Sequence, residues 1–396
     1  MENEIKIKLD EIAGCIMDGI KNNAIENVNG LYNGKFGILL FLYYYSKYTD
    51  DQNMRSFTNS YAEQILDELW TERIPTFCSG LSGILYLIEF LREQRFVDID
   101  IEESENDFFQ YIDNCIDWFI TERKYDFMHG ALGIGLYFIK RGQQIQSILK
   151  LLDFLYDTAE KDYANNTFKW KSILNEEGNI GYNISLSHGI SSIVLFLSRV
   201  IANHIDHEKV YELLEGAVNY ILSQEIDAEL YGSYFPPQSL ENTNSFIGKS
   251  RLGWCYGDLG VAFALWHAGK TLNKAEWIEK GMNILIDSTK RKNIKDNSIA
   301  DAGLCHGCAG IAMVYNRLLI ETGNPVFMEA TLYWLNQTLL FATFSDGLAG
   351  YKTSQGRDKE SKCDYNFLTG ISGIGLVFVT YLLKDKQIWD ELLLLS

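Results

Sequence analysis

One short pattern, Gly-x-x-Gly followed by an apolar run, recurs along the whole chain of 396 residues. Six copies are complete, and in a seventh Ser192 stands in place of the second glycine. The copies begin at Gly34, Gly80, Gly130, Gly189, Gly257, Gly307 and Gly370. They lie 46 to 68 residues apart, a spacing that suits two helices and their connections in each repeat. The sequence therefore predicts a repeat protein of seven units.

Each motif lies between two different kinds of helical segment. The stretch after a motif, such as residues 37–45, is almost entirely apolar, as in a buried helix. The stretch before a motif is amphipathic, and Val210, Leu214, Val218 and Ile221 share one helical face. Hairpin turn signals, which would favour strands, do not flank these stretches. We therefore expect a half-exposed outer helix and a buried inner helix in each repeat.

Seven helix pairs can stack as an open solenoid or close into a ring. The even spread of one motif favours closure, so we expect an all-α fold, an α/α toroid in a single domain over residues 1–396. In a closed ring every Gly-x-x-Gly turn lies at the same end of its inner helix. The residues just before the motifs then gather around one mouth, where catalytic groups are expected. For most of the glycines, tight turns and close helix entry are a sufficient explanation.

Composition excludes several classes of function. The net charge of −18 would repel a nucleic-acid backbone, so we exclude nucleic acid as a partner. No apolar run is long enough to cross a bilayer, and residues 1–10 lack the apolar core of a signal peptide. We therefore expect a cytoplasmic protein without an integral membrane segment. Seven cysteines, an odd number without an export signal, do not indicate a disulfide framework, so burial or metal binding must explain them.

The positions just before the motifs hold chemically active side chains. The residues that directly precede the first glycines are Asn33, Ser79, His129, His188, Tyr256, His306 and Thr369. One position further back, the fifth and sixth copies carry Cys255 and Cys305. Two thiolates and one imidazole are good zinc ligands, and three protein ligands leave a fourth tetrahedral position open for water or substrate. The sequence thus predicts a catalytic zinc site at Cys255, Cys305 and His306.

Burial is the alternative explanation for each cysteine taken alone, since free cysteine is often a small buried hydrophobe. The matched register of Cys255 and Cys305 in adjacent repeats, next to His306, favours metal binding for this set. Two other cysteines could substitute as ligands, but Cys308 lies inside a turn and Cys78 belongs to a distant repeat. We interpret the remaining three, Cys15, Cys115 and Cys363, as structural.

With these motifs in view, the chain resembles the lanthionine synthetase C-like family, the cyclases of lantibiotic biosynthesis. The resemblance covers essentially the whole chain and rests on the seven turns and on three local motifs. These motifs are Trp254-Cys255-Tyr256-Gly257, Cys305-His306-Gly307 and Ser187-His188-Gly189. It implies an α/α toroid with one zinc ion, and a reaction in which a peptide cysteine adds to dehydroalanine or dehydrobutyrine. The zinc ligands that it implies are again Cys255, Cys305 and His306.

The resemblance also implies roles for four further residues. An aspartate shortly before the third turn matches Asp126, and the histidine of the Ser-His-Gly motif matches His188. The arginine and tyrosine that flank the metal cysteine match Arg251 and Tyr256. His188 is then the general acid and Asp126 orients it, although Asp126 could instead cap a helix and the other two could be structural. His129, one residue before the third turn, adds an imidazole to which the resemblance assigns no role.

Partners and rival functions follow from the same resemblance. The chain has no recognisable kinase or lyase region, so a separate dehydratase must make the dehydrated precursor peptide, with its leader and core, and a peptide transporter is a further expected partner. One alternative is the addition of glutathione to dehydrated peptides. Another is a non-catalytic, zinc-stiffened scaffold that binds peptides. A prenyltransferase-like toroid would also activate a peptide thiol with zinc, but it usually uses a carboxylate ligand, which this register lacks.

Overall fold

The computed structural model describes residues 1–69, 71–97, 102–175, 177–242, 247–354 and 360–395, and the side chains of 102–106 are not described. The chain is largely helical. Its α-helices are α1 Glu2–Lys21, α2 Lys35–Thr49, α3 Gln52–Leu69, α4 Leu81–Glu93, α5 Glu102–Thr121, α6 Ala131–Arg141, α7 Ile145–Thr158, α8 Ile190–Ala202, α9 Val210–Leu222, α10 Ala228–Tyr231, α11 Asp258–Leu272, α12 Ala275–Ser288, α13 Cys308–Thr322, α14 Pro325–Leu340 and α15 Ile371–Leu383. A 3-10 helix spans Trp389–Leu393.

Seven of these helices begin directly after the first glycine of a motif, as the sequence predicts. They are the inner helices α2, α4, α6, α8, α11, α13 and α15. In α2 every residue from Lys35 to Ser46 is buried, so the helix has no solvent-exposed face over these turns. The preceding helices are amphipathic: in α9 the predicted stripe of Val210, Leu214, Val218 and Ile221 is buried. Both predicted kinds of helix are therefore present.

The described residues pack as two compact units. The first contains Met1–Ile74, Cys78–Ile99 and Ile299–Ser396, and the second contains Pro75–Phe77 and Asp100–Ser298. In the first unit α13 contacts α15, α15 contacts α2, and α2 contacts α4. The last inner helix of the chain thus lies against the first one. In the second unit α8 contacts both α6 and α11. Consecutive inner helices are therefore neighbours within each unit.

Outer helices pack mainly on the inner helix that precedes them in the chain. This holds for α3 on α2, α7 on α6, α9 on α8, α12 on α11 and α14 on α13. Since no inner helix precedes α1, this helix instead packs on α15, the last inner helix. The first and last α-helices, α1 and α15, thus form one helix pair within the first unit.

The turn before each inner helix has a recurring geometry. In six repeats the backbone N–H of the first helical residue donates a hydrogen bond to the carbonyl oxygen seven residues earlier, as in Lys35 to Val28 and Cys308 to Asp301. The backbone of the preceding loop therefore lies close to the glycines of the motif. At Gly257 a Cβ atom would lie 2.0 Å from the carbonyl oxygen of Arg251, and φ is +96°, a conformation that favours glycine. Close backbone approach explains why the motif needs glycine here.

Two small antiparallel hairpins, which the sequence analysis did not predict, lie between α7 and α8. One pairs β1 Glu160–Asp162 with β2 Thr167–Lys169, and the other pairs β3 Lys171–Ile173 with β4 Ile180–Tyr182. The second hairpin leads directly into the turn that precedes α8. Throughout the described ranges of the chain, no helix is long and apolar enough to cross a membrane.

Candidate active site and metal centre

The turns before α6 and α8, which are consecutive inner helices of one unit, bring Asp126 and His188 together. Nδ1 of His188 lies 2.7 Å from Oδ2 of Asp126, and both side chains are half-buried. The other carboxylate oxygen, Oδ1, accepts a hydrogen bond of 2.7 Å from the backbone N–H of His129. Asp126 is therefore fixed by its own turn and in turn orients the His188 ring. This contact joins two residues that the sequence analysis singled out.

The two neighbouring imidazoles have opposite pKa shifts. Burial lowers the pKa of His188, but the hydrogen bond and the negative charge of Asp126 together raise this pKa above its usual value. Burial lowers the pKa of His129, and the charge of His188 lowers it further against the opposing effect of Asp126. The rings stack at a centroid distance of 5.6 Å with 15° between their planes. Near neutral pH, His188 thus carries more positive charge than His129.

Tyr256 also lies near His188, with a distance of 6.4 Å between the ring centroids. Its hydroxyl oxygen accepts a hydrogen bond of 3.2 Å from Nδ2 of Asn183. Burial raises the pKa of Tyr256, so that it remains a neutral phenol. Asn183 is itself buried, and its Oδ1 accepts a hydrogen bond from the backbone N–H of Ser185. The sequence analysis missed Asn183, because only its proximity to Tyr256 in the fold gives it a role.

The loop before α11 carries Arg251, Cys255 and Tyr256. Cys255 is buried, and its carbonyl oxygen accepts hydrogen bonds from the backbone N–H groups of Leu186 at 3.1 Å and Ser187 at 3.3 Å. These bonds tie the loop to the turn that carries His188. Arg251 is half-buried at the start of the same loop. The residues that the family resemblance selects in this unit therefore lie on three adjacent turns.

In the other unit, the turn before α13 carries Cys305 and His306. The backbone N–H of Cys305 donates a hydrogen bond of 2.9 Å to the carbonyl oxygen of Leu368. Nε2 of His306 lies 3.8 Å from Oδ2 of Asp301, a carboxylate that is buried and also accepts a backbone hydrogen bond from Ser354. A carboxylate next to a metal-ligating imidazole fixes its orientation and raises its basicity. Asp301, five residues before His306, is a second candidate that the sequence analysis missed.

The ligand atoms of the three predicted metal ligands form one cluster. Within the part of the chain that the structure describes, the thiol sulfurs of Cys255 and Cys305 and one ring nitrogen of His306 all lie within 4.8 Å of one another. Two sulfurs and one imidazole nitrogen fit the donor preference of zinc, and three ligands match a site with one open position. Cys308 and Cys78 are buried and are not members of this cluster. Burial and the charge of Asp301 raise the pKa of Cys308, which therefore remains a thiol.

The chain is similar to known proteins over most of its length. The family model described as Lanthionine synthetase C-like protein matches residues 26–394. The nisin biosynthesis protein NisC of Lactococcus lactis subsp. lactis is 23% identical over 393 residues, which cover 92% of this chain and 88% of NisC. The glutathione S-transferase LANCL1 of Danio rerio is 23% identical over 334 residues, which cover 81% of this chain and 77% of the relative.

The fold is also that of a solved structure. The structure of nisin cyclase matches with a TM-score of 0.76 at 18% sequence identity, over 97% of this chain and 96% of the cyclase chain. This likeness confirms the predicted fold class, an all-α toroid of seven helix pairs joined by Gly-x-x-Gly turns. Since the family model spans nearly the whole sequence, the chain belongs to the lanthionine synthetase C-like family.

Proposed function

We propose that this protein is a zinc-dependent peptide cyclase that forms lanthionine or methyllanthionine rings. In this reaction a cysteine of a lantibiotic-type precursor adds to dehydroalanine or dehydrobutyrine in the same peptide. The observation that carries the proposal is the cluster of Cys255, Cys305 and His306, whose donor atoms suit zinc. Similarity to nisin cyclase and to NisC supports a cyclase of this kind.

The metal and the protein contribute to different steps. Cys255, Cys305 and His306 would hold a zinc ion, which when bound would lower the pKa of a substrate thiol, ordinarily about 8.5, and so provide a thiolate at neutral pH. Attack on the β-carbon of the dehydro residue forms the carbon–sulfur bond and moves an electron pair onto the neighbouring carbonyl group. The resulting enolate requires a proton at its α-carbon. Asp126, His188, Arg251 and Tyr256 of the second unit are suited to stabilise the enolate and to donate this proton.

His188 is the proton donor in this proposal. Because its Nδ1 is bonded to the Asp126 carboxylate, Nε2 is the nitrogen that faces away from this contact and can release a proton. The raised pKa of His188 keeps the ring protonated closer to neutral pH, as a general acid requires. Asp126 orients the ring and stabilises its positive charge. The Asp126 carboxylate holds this orientation through two contacts, one with the backbone N–H of His129 in its own turn and one with the His188 ring in the next turn.

Arg251 and Tyr256 stabilise the negative charge of the enolate. The guanidinium of Arg251 binds the developing negative charge or the peptide carbonyl, and the neutral phenol of Tyr256 donates a hydrogen bond there. The Asn183 amide, which donates to the Tyr256 oxygen, leaves the phenolic proton free for this purpose. The same hydrogen bond makes Tyr256 a better donor, because it partly stabilises negative charge on the phenolic oxygen.

We infer the substrate, the partner proteins and the cellular location of the reaction from the family. The single toroidal domain over residues 1–396 acts on a dehydrated precursor, and a separate dehydratase supplies that precursor. A peptide transporter then exports the product, and cyclisation takes place in the cytoplasm. A second candidate function is the addition of glutathione to dehydrated peptides, which the similarity to the glutathione S-transferase LANCL1 favours. This reaction would use the same metal ligands and the same proton donor.

Metal analysis tests the zinc site. We expect protein purified without chelators to carry one zinc ion per chain by elemental analysis, and we expect Cys255→Ala or Cys305→Ala to lose it. Cys308→Ala is the matched control, since this buried cysteine follows the same turn but lies outside the ligand cluster. Full zinc retention in Cys305→Ala, or equal loss in Cys308→Ala, would overturn the ligand assignment.

A further inference from the structure

Arg291, which the sequence analysis did not single out, contacts both ends of the loop that carries Arg251, Cys255 and Tyr256. At the start of the loop, Nη2 of Arg291 donates a hydrogen bond of 2.5 Å to the carbonyl oxygen of Ser250. At its end, Nη1 lies 2.9 Å from Oδ2 of Asp258, the first residue of α11. One guanidinium group therefore joins the two ends of the loop.

Further bonds fix the position of the guanidinium and of both loop ends. Nε of Arg291 donates to Oδ1 of Asn297 at 2.9 Å, and the carbonyl oxygen of Asn297 accepts the backbone N–H of Leu252 in the loop. Asp258 is almost fully buried and accepts the backbone N–H groups of Tyr234 and Phe235. The three guanidinium nitrogens of Arg291 thus each have a different acceptor. Such geometry needs the planar fork of arginine and is not reproduced by lysine.

We propose that Arg291 is a positioning residue that holds the Cys255 loop in the geometry required for metal binding and for catalysis. The inference rests on the proposed function of Cys255 as a metal ligand. In this role Arg291 acts on the loop through Ser250, Asn297 and Asp258. Without it the loop keeps its covalent ends but loses the bonds that fix their separation, so Cys255 samples positions away from the metal site. Outer groups that orient metal ligands typically change metal affinity by about 10–100-fold when they are removed.

The chain offers a matched control in Arg317. This arginine is buried and, like the half-buried Arg291, is paired with an aspartate: its Nε lies 2.7 Å from Oδ2 of Asp390, and a second nitrogen contacts Oδ1. The pair belongs to the other unit and contacts the C-terminal segment, not the Cys255 loop. Replacement of either arginine breaks a buried ion pair and lowers stability. Only replacement of Arg291 changes the loop that carries Cys255.

The first readout uses metal-free protein and does not depend on activity. The rate of alkylation of each cysteine by iodoacetamide is followed by mass spectrometry in wild type, Arg291→Gln and Arg317→Gln. We expect alkylation of Cys255 to become about 10-fold faster in Arg291→Gln only, because the bonds that hold the loop closed are lost. Cys308 in the same samples reports general loosening of the fold. Equal acceleration at Cys255 and Cys308, or equal effects of the two substitutions, would overturn the proposal.

The second readout is zinc affinity, measured by competition with a chromophoric chelator. Arg291→Gln weakens zinc binding by about 10-fold or more, whereas Arg317→Gln binds as wild type does. If either Gln variant does not fold, Arg291→Lys and Arg317→Lys give the same comparison. Unchanged zinc affinity in the folded Arg291 variants would overturn the positioning role of Arg291. The proposed cyclase function is tested separately, by the zinc content and the cyclisation activity of the wild-type protein.

Discussion

Asp126 and His188 lie 62 positions apart in the sequence, yet Oδ2 of one is 2.7 Å from Nδ1 of the other. The contact exists because both residues precede inner helices that are neighbours in one unit, and the motif places them at the same end of those helices. It orients the His188 ring and raises its pKa, the two properties that a proton donor near neutral pH needs.

Replacement of Asp126 by Asn should lower the pKa of His188. The variant removes the negative charge that raises this pKa, so that the lowering effect of burial dominates. The pKa is measured from the pH dependence of the imidazole carbon-bound proton signals in NMR spectra. Asp153→Asn is the control, because Asp153 makes a similar contact of 3.1 Å with His207 on the surface. A His188 pKa unchanged by Asp126→Asn would contradict the account.

The same contact should make stability depend on pH. Because the pKa of His188 is raised on folding, its contribution is full below the unfolded value of about 6.5 and is lost as the pH rises through the folded value. The pKa of Asp126 is lowered, since His188 outweighs the effect of burial, so the contribution of Asp126 is lost in acid. Denaturant unfolding should therefore show that Asp126→Asn loses more stability at pH 6 than at pH 9. An equal loss at both pH values would contradict the pairing.

Replacement of His188 by Gln should separate proton transfer from metal binding. The variant retains zinc, since His188 is not in the ligand cluster, but cyclises more slowly by about 10²–10⁴-fold, the usual contribution of a general acid. Rates are measured by the loss of free thiol in a dehydrated peptide. His207→Gln serves as the control and should react at the wild-type rate, because His207 pairs with Asp153 and lies outside the proposed site. If His188→Gln reacted as fast as wild type, another group would have to supply the proton.

Replacement of Gly257 by Ala should distort the loop that carries Cys255. The new methyl group would lie 2.0 Å from the carbonyl oxygen of Arg251, and φ is +96°. Gly323→Ala is the matched control, with φ +66° but no atom within 4 Å of the added carbon, so that it costs only about 1 kcal/mol. Gly257→Ala should lose clearly more unfolding free energy, measured by urea denaturation, and should also lose zinc. Equal losses in the two variants would show that close approach at Gly257 is unimportant.

Local patterns made most of the fold predictable. A Gly-x-x-Gly turn followed by an apolar run determines its own helix start, and for this reason α2, α4 and α13 begin directly after the first glycine of their motifs. The three-residue strands between α7 and α8 are too short to show an alternating pattern. They therefore could not be recognised from the sequence.

The candidate site was predictable only in part. Cys255, Cys305 and His306 share a register relative to their motifs, so their spacing alone suggested a common site. Asp126 and Arg251 came from the family resemblance, because no local pattern distinguishes them from other charged residues. The partners that position these groups escaped prediction for a physical reason. Asn183, Asp301 and Arg291 act through hydrogen bonds or ion pairs that only tertiary packing creates.

Cyclisation is an isomerisation, and this property allows the most direct test of the proposed function. A synthetic peptide with one dehydroalanine and one cysteine is incubated with the zinc-loaded protein, then treated with iodoacetamide and analysed by mass spectrometry. The account predicts that the peptide loses its alkylatable thiol without any change in mass, and that Cys255→Ala leaves the thiol open to alkylation beyond the slow uncatalysed background. The same incubation with added glutathione distinguishes the second candidate function. A mass increase equal to one glutathione, or retention of the free thiol despite bound zinc, would contradict the assignment as a peptide cyclase.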